Sequence, residues 1–206
     1  MRTLVIETAT PACSVALFDG DDVLAARHET LGRGHAERLV PLIAELPGRG
    51  EAPRILVSLG PGSFTGTRIG IAAARALGIA WGADVLGYPT LALVAAGARE
   101  PAITAPVLVA MSGGHGEWFV QPFADDGSPI EDHYSLQPAQ AVAYSMIEDV
   151  AGSEAEALVA MRGFGRAHPM LPDARRASAL PTACLSNRIA PIYGRPPDAR
   201  PQAGLT

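Results

Sequence analysis

The chain has no lysine: all 16 basic residues among its 206 are arginine. That absence excludes Schiff-base catalysis, a lysine general base and the lysine that reaches the β/γ-phosphates in a P-loop. Cysteine is scarce as well. Cys13 and Cys184 make no CxxC pair and no metal-ligand spacing, so they are expected as reduced, packed thiols of a cytoplasmic protein. The apolar run at residues 4–6 is cut by Glu7, so neither a signal peptide nor a membrane span is expected. Net positive charge is also missing. At −5, with a pI near 5.5, the chain offers no overall basic field for a phosphate backbone, and nucleic acid is expected to meet it only within a complex.

What the sequence does have is concentrated in residues 55–80, ILVSLGPGSFTGTRIGIAAARALGIA. A short apolar run enters a turn holding Gly60, Pro61, Gly62 and Gly66, after which Ile69, Ala72, Ala73, Ala76 and Ala80 recur at helical spacing. A strand, a glycine turn and a helix in this order present backbone N–H groups, which suits an anion. The stripe of small side chains suits a second helix at close range. Two nucleotide motifs fail here. Gly66 is followed by Thr67 and Arg68 rather than the Lys-Ser/Thr of a P-loop, and G-x-G-x-x-x-G departs from the G-x-G-x-x-G dinucleotide fingerprint. A tight connection that binds nothing, and a stripe that packs on its own sheet, are the plain structural alternatives.

Residues 3–8, 12–19 and 23–27 read as an antiparallel meander. Residues 35–46 read as a helix with Leu39, Leu42, Ile43 and Leu46 on one face. A strand at 55–59, a helix from about residue 67, a strand at 84–88 and a helix at 90–98 follow. The order β-β-β-α-β-α-β-α predicts an α/β fold with a mixed sheet and crossover helices. Pro101 and Pro106 mark the passage to a second unit, with a strand at 107–111, a turn at 112–116, a strand at 117–123, a helix at 138–147 and a further segment at 154–161. The expected organisation is a first lobe of residues 1–103 and a smaller second lobe of residues 104–206 ending in an extended proline-rich tail from Pro191. A hairpin turn opens each half, which hints at a duplication although the halves show no sequence repeat.

Four stretches together resemble the bacterial TsaB (YeaZ) family: LVIETATPACSVALFDG, GHAERLVPLI, SLGPGSFTGTRIGIAAARALG and APIYGRPPDARPQ. The first and third, about fifty residues apart, are the specific pair. The resemblance implies an actin-like fold of the sugar-kinase/Hsp70-like ATPase class, ribonuclease H-like, in two lobes with mixed sheets. It also implies a non-catalytic role, as the subunit that pairs with TsaD and activates it. TsaE, an ATPase, joins the assembly that forms N6-threonylcarbamoyladenosine (t6A) beside the anticodon of tRNAs reading ANN codons. The family would meet tRNA only through the complex, and would pair with itself where TsaD is missing.

By the same resemblance, Glu7, Thr8 and Thr10 of the first hairpin turn are candidate nucleotide-phosphate contacts, the alternative being a turn with a capped carboxylate. Ser112, Gly113 and Gly114 are the candidates from the second turn. That Ser-Gly-Gly-His turn departs from the acidic and basic turn expected of the family and looks more like its equivalent in TsaD; a plain β-turn explains its glycines equally well. The adenosine-cradling turn of active superfamily members is glycine-rich, whereas its candidate here has only Gly152. That argues against tight nucleotide binding, so ATP or ADP is expected weakly or at the junction with TsaD, and no cofactor is assigned. The histidines at 28, 35, 115, 133 and 168 include no pair four apart, so neither the H-x-x-x-H metal pair of TsaD nor an H-E-x-x-H protease site can form locally. No metal ligand and no catalytic residue are therefore assigned. A four-helix interface with TsaD is expected to use His35, Leu39, Ile43, Ile69, Ala72, Ala73 and Ala76. The competing function is a stand-alone actin-like ATPase or small-molecule kinase working through Glu7 and the two turns.

Overall fold

The computed structural model describes residues 1–99 and 105–194. In the first half, β1 (Arg2–Glu7), β2 (Ala12–Asp19) and β3 (Asp22–Thr30) form the meander. Then come α1 (His35–Ala44), β4 (Arg54–Ser58), α2 (Phe64–Trp81), β5 (Asp84–Tyr88) and α3 (Thr90–Arg99). The second half holds β6 (Val107–Gly114), β7 (Glu117–Phe123), β8 (Tyr134–Leu136), α4 (Pro138–Tyr144), β9 (Asp149–Ala151), α5 (Ala155–Arg162) and β10 (Arg166–His168). The sheet orders are β3-β2-β1-β4-β5 and β8-β7-β6-β9-β10. In each, the first three strands are antiparallel and the last two join in parallel through a helix. One mixed-sheet topology is thus used twice, once in each lobe.

Period-two alternation sorts the strand side chains between layers. Leu4 and Ile6 of β1, Val15 and Leu17 of β2, and Ile55 and Val57 of β4 face α1 and α2. Val5, Ala16 and Leu56 face the opposite way, into a core shared with the second sheet. The second sheet alternates likewise: Val107, Val109, Met111, Phe119 and Phe123 enter the shared core. Leu108, Ala110, Trp118 and Val120 pack beneath α4 and α5. Between the sheets runs α3, where eight of ten residues are buried. A helix that is apolar on every side belongs in such a place. Each fully buried Leu or Ile contributes about 1.5–3 kcal/mol.

The edge strand β3 is largely exposed and carries several charges, a pattern that disfavours edge-to-edge pairing. Arg27 Nε donates to Glu45 Oε2 and Arg38 Nε to Glu29 Oε2, both at 2.9 Å, tying the strand to α1. The short strands β8, β9 and β10, three residues each, were not expected from sequence. Helix α2 starts at Phe64, earlier than its apolar pattern suggested, and α4 stops at Tyr144 rather than residue 147. The expected lobe boundary at 103/104 and most of the expected tail lie outside the described residues. No described helix is long and apolar enough to cross a membrane.

Candidate functional site

The first hairpin turn and the start of α2 are pressed into one another. The Ser63 N–H donates to Ala9 O at 2.6 Å, and Thr8 Oγ1 donates to Gly66 O at 2.8 Å. The Gly66 N–H donates to Ser63 Oγ at 3.2 Å, and the Thr67 N–H to Ser63 O at 2.9 Å. A Cβ on Gly62 would lie 2.0 Å from Ala9 O, one on Gly66 2.1 Å from Thr8 O, and one on Gly70 2.4 Å from Thr8 Oγ1. The glycines are therefore needed for backbone contact with the turn. This narrows the expectation of an open amide cluster: the amides of Ser63 and Gly66 are spent inside the chain, two of the four donors that the start of α2 would offer an anion, and the Thr67 N–H makes the first bond of the helix itself.

Glu7 and Thr8, expected on a nucleotide phosphate, are buried behind this turn, at 0% and 1% exposure. The Ala9 N–H donates to Glu7 Oε1 at 2.6 Å, and Oε2 has no partner that meets hydrogen-bond geometry. Burial pushes the carboxyl up to about 7 against the opposing pull of the Ala9 amide. A group so enclosed has no path to a nucleotide in this conformation. Thr10, by contrast, lines the space between the lobes.

That space is a cleft of about 980 Å³. Its walls are the turn at Ala9–Pro11, the start of α2, the second turn from Ser112 to His115, the start of α5, and residues 191–194. Ser112, Gly113 and Gly114 thus line the same cleft as Thr10. The second turn, too, satisfies its neighbours internally. Ser112 N–H donates to Ser153 Oγ at 3.0 Å, Ser153 N–H to Met111 Sδ at 3.2 Å, and Glu154 N–H to Ala110 O at 3.1 Å. Gly152 repeats the first-lobe device, since a Cβ there would be 2.2 Å from Ala110 O. Charged and titratable side chains on the lining are few: Arg68, Glu154, His115 and Tyr193. Arg68 is held at the mouth, its guanidinium 3.5 Å above the Phe64 ring and its Nη2 donating to Tyr193 Oη at 2.8 Å. No group of three His, Cys, Asp or Glu side chains among the described residues could hold a metal, and Cys13 and Cys184 are free thiols.

The residues expected at a partner interface divide. His35 is buried, with Nε2 2.9 Å from Thr10 O and 3.2 Å from Ala12 O, so it pins the first turn from beneath. Leu39 and Ile43 are buried in the core under the first sheet. These three are corrected to interior positions: the apolar face of α1 is the one its own sheet consumes. Ala72 and Ala76 are exposed on α2, with Ile69 and Ala73 half-buried beside them. The outward surface also includes Ala36, Val40 and Ala44 of α1, and Ile79 of α2, which is 87% exposed. Val40 and Ile79 were missed, although Ile79 continues the spacing of Ala72 and Ala76 by one turn.

Comparison with known proteins places this geometry. A model of the family "TsaD: tRNA N6-adenosine threonylcarbamoyltransferase" matches residues 28–168. The Escherichia coli tRNA threonylcarbamoyladenosine biosynthesis protein TsaB is 34% identical over 63% of this chain and 58% of its own length. The chain thus spans less than two thirds of that relative. An uncharacterized Mycobacterium bovis protein is 32% identical over 98% of this chain and 96% of its own. Among solved structures, YeaZ from Pseudomonas aeruginosa superposes with a TM-score of 0.77 at 26% identity, covering 93% of this chain and 99% of the other.

Proposed function

The chain belongs to the TsaB (YeaZ) family, and on that premise we propose that it is a non-catalytic subunit of the apparatus that makes t6A in tRNA. In this reading it pairs with a TsaD-type subunit and activates it, and a TsaE-type ATPase joins the complex. The work is done in the cytoplasm, and tRNA is met by the assembly.

The observation that carries the proposal is the outward surface of α1 and α2. Ala36, Val40 and Ala44 of α1 and Ala72, Ala76 and Ile79 of α2, two helices in contact, leave apolar, small-residue surface that the described residues do not cover. Small side chains let a second pair of helices approach closely, and an isolated chain would present the same face to a copy of itself. The internal use of the Ser63 and Gly66 amides at the first turn, with Glu7 and Thr8 buried behind it, supports a role in which phosphate chemistry is done elsewhere. The cleft of about 980 Å³ favours a second reading, an actin-like ATPase or kinase; ATP turnover by the isolated chain would establish it.

Ala76→Arg is the test. Ala76 is exposed, so the substitution spares the fold, whereas Ala73 is half-buried and would mix folding with binding. An arginine forced into a packed helix interface costs on the order of 2–5 kcal/mol of association. Co-purification with a TsaD-type protein is expected to be lost in the variant while its circular dichroism and melting temperature match the parent. Unchanged affinity would move the interface elsewhere.

A further inference from the structure

After the last short helix the chain returns to the first lobe. Ser186 pairs with Gly87 at the end of β5, and the following residues run antiparallel along α2. Arg75 Nη2 donates to Ile189 O, the Ile192 N–H donates to Leu59 O at 2.7 Å, and Arg68 Nη2 donates to Tyr193 Oη at 2.8 Å. Neither α2 nor residues 186–194 contains an acidic residue. Arg68, Arg75 and Arg188 are all exposed along this seam, and among the described residues none of the three is in an ion pair. Two helical turns, about 10 Å, separate Arg68 from Arg75. At the cleft end the strip finishes in stacked aromatic rings, Phe64 and Tyr193, with centroids 5.9 Å apart and about half of each side chain open to solvent. Glu154, the one carboxylate on the cleft lining, stands on the other lobe.

In a chain of net charge −5, three unneutralised arginines beside an exposed aromatic pair form a local exception. Guanidinium groups match phosphate oxygens in geometry; Arg68 covers one face of Phe64, and the solvent-exposed remainder of the Phe64–Tyr193 pair is what a base can stack on. An acidic peptide would satisfy the arginines but would leave the rings without a role. We propose that the seam of α2 and residues 188–193 is an RNA-contacting strip. Arg68, Arg75 and Arg188 hold the phosphates of an unpaired segment of the tRNA substrate, and Phe64 and Tyr193 hold a base. The proposal rests on the tRNA-modification reading above and adds to it the surface of this subunit that meets the substrate.

The probe is an unmodified transcript of an ANN-reading tRNA, titrated by fluorescence anisotropy across a salt series against this chain assembled with its TsaD-type partner. The triple variant Arg68→Glu/Arg75→Glu/Arg188→Glu is expected to weaken binding at least tenfold and to lower the salt slope by about 2–3, with partner binding intact. Reversing Arg2 and Arg49, exposed elsewhere on the first lobe, is expected to change affinity less than threefold. The triple Arg→Lys variant keeps the charge but alters the contacts to Ile189 and Tyr193; retained binding there separates lost charge from a disturbed strap. Unchanged affinity and slope in an intact complex overturn the proposal. So does loss of partner binding with RNA affinity preserved, which would make the strip a protein-docking face. If the parent chain forms no complex, the subunit reading fails. The same titrations on the isolated chain then decide the strip: salt-dependent RNA binding lost in the Glu variant keeps it, and no binding ends it.

Discussion

The two lobes share one topology and close it differently. In the first, Gly62 of the preceding turn and Gly66 and Gly70 of the 18-residue α2 lie directly against the carbonyls and hydroxyl of the hairpin turn, and His35 pins the same turn from beneath. In the second, the helix in the corresponding place has 8 residues, Gly152 alone makes the close approach, and Gly113, Gly114 and His115 stand on the open rim of the cleft. The first turn is built as part of a core, and the second as an edge. Topology fixes where a turn lies, while packing decides whether it can still take part in binding.

The largest test of that contrast is Gly66→Ala. Its Cβ would meet Thr8 O at 2.1 Å, an overlap that backbone on both sides cannot relieve cheaply, so a loss of about 3 kcal/mol or more is expected. Chemical denaturation reads it, and a loss below about 1 kcal/mol would show that the first turn is not the rigid one.

Glu7→Gln sharpens the same point through pH. The carboxyl titrates near 4.5 ordinarily and at about 7 in the folded chain, so the folded state binds the proton more tightly. Its penalty is absent below pH 4.5, grows between 4.5 and 7, and is complete above. The isosteric amide keeps the acceptor for the Ala9 N–H and removes the charge. It is therefore expected to stabilise the protein by on the order of 3 kcal/mol at pH 8 and to change it little at pH 4. Equal denaturation midpoints for parent and variant across that range would mean that Glu7 is solvated.

Gly114→Ala should cost much less, about 1 kcal/mol. The space around it is open, and only its φ of 74° opposes a side chain. A cost as large as that of Gly66→Ala would erase the distinction between the two turns.

The smallest effect belongs to Asp149, the buried carboxylate of the second lobe. Hydrogen bonds from Arg166, joined by His168, hold its carboxyl below the usual range. The sign is opposite to that of Glu7. Its stabilisation is present above the ordinary value of 3.8 and is lost as acid protonates it. Because Arg166 is well exposed, solvent screens the pair, and Asp149→Asn is expected only to flatten the acid limb of a pH–stability curve. An unchanged acid limb would remove Asp149 from that account.

Much of this contrast was legible in the sequence of the first lobe and little of it in the second. The meander, the glycine helix and the buried α3 announce themselves through long apolar patterns and turn residues. Strands β8, β9 and β10 have three residues each, too few to establish a period. Thr10 and the Ser112-Gly113-Gly114 turn are singled out by resemblance as phosphate contacts, and that they line one cleft is a finding of the structure. The burial of Glu7 and Thr8 could not be read from sequence, because it depends on the approach of residues almost sixty positions away. Helix α1 shows a third limit: its periodic face, Leu39 and Ile43, marks what the chain buries, and a partner-facing surface is the face that periodicity leaves out. Exposed Ala72, Ala76 and Ile79 were distinguishable from core alanines only once the helix was seated on its sheet.

The central claim is that this chain acts by enabling a partner. Reconstituted t6A synthesis measures it directly, with TsaD- and TsaE-type proteins, threonylcarbamoyl-adenylate supply and tRNA held constant, and the product read by mass spectrometry of digested tRNA. The account predicts t6A with the parent chain, and a fall to the level of the chain-free reaction with folded Ala76→Arg. Equal t6A with and without the chain would contradict it.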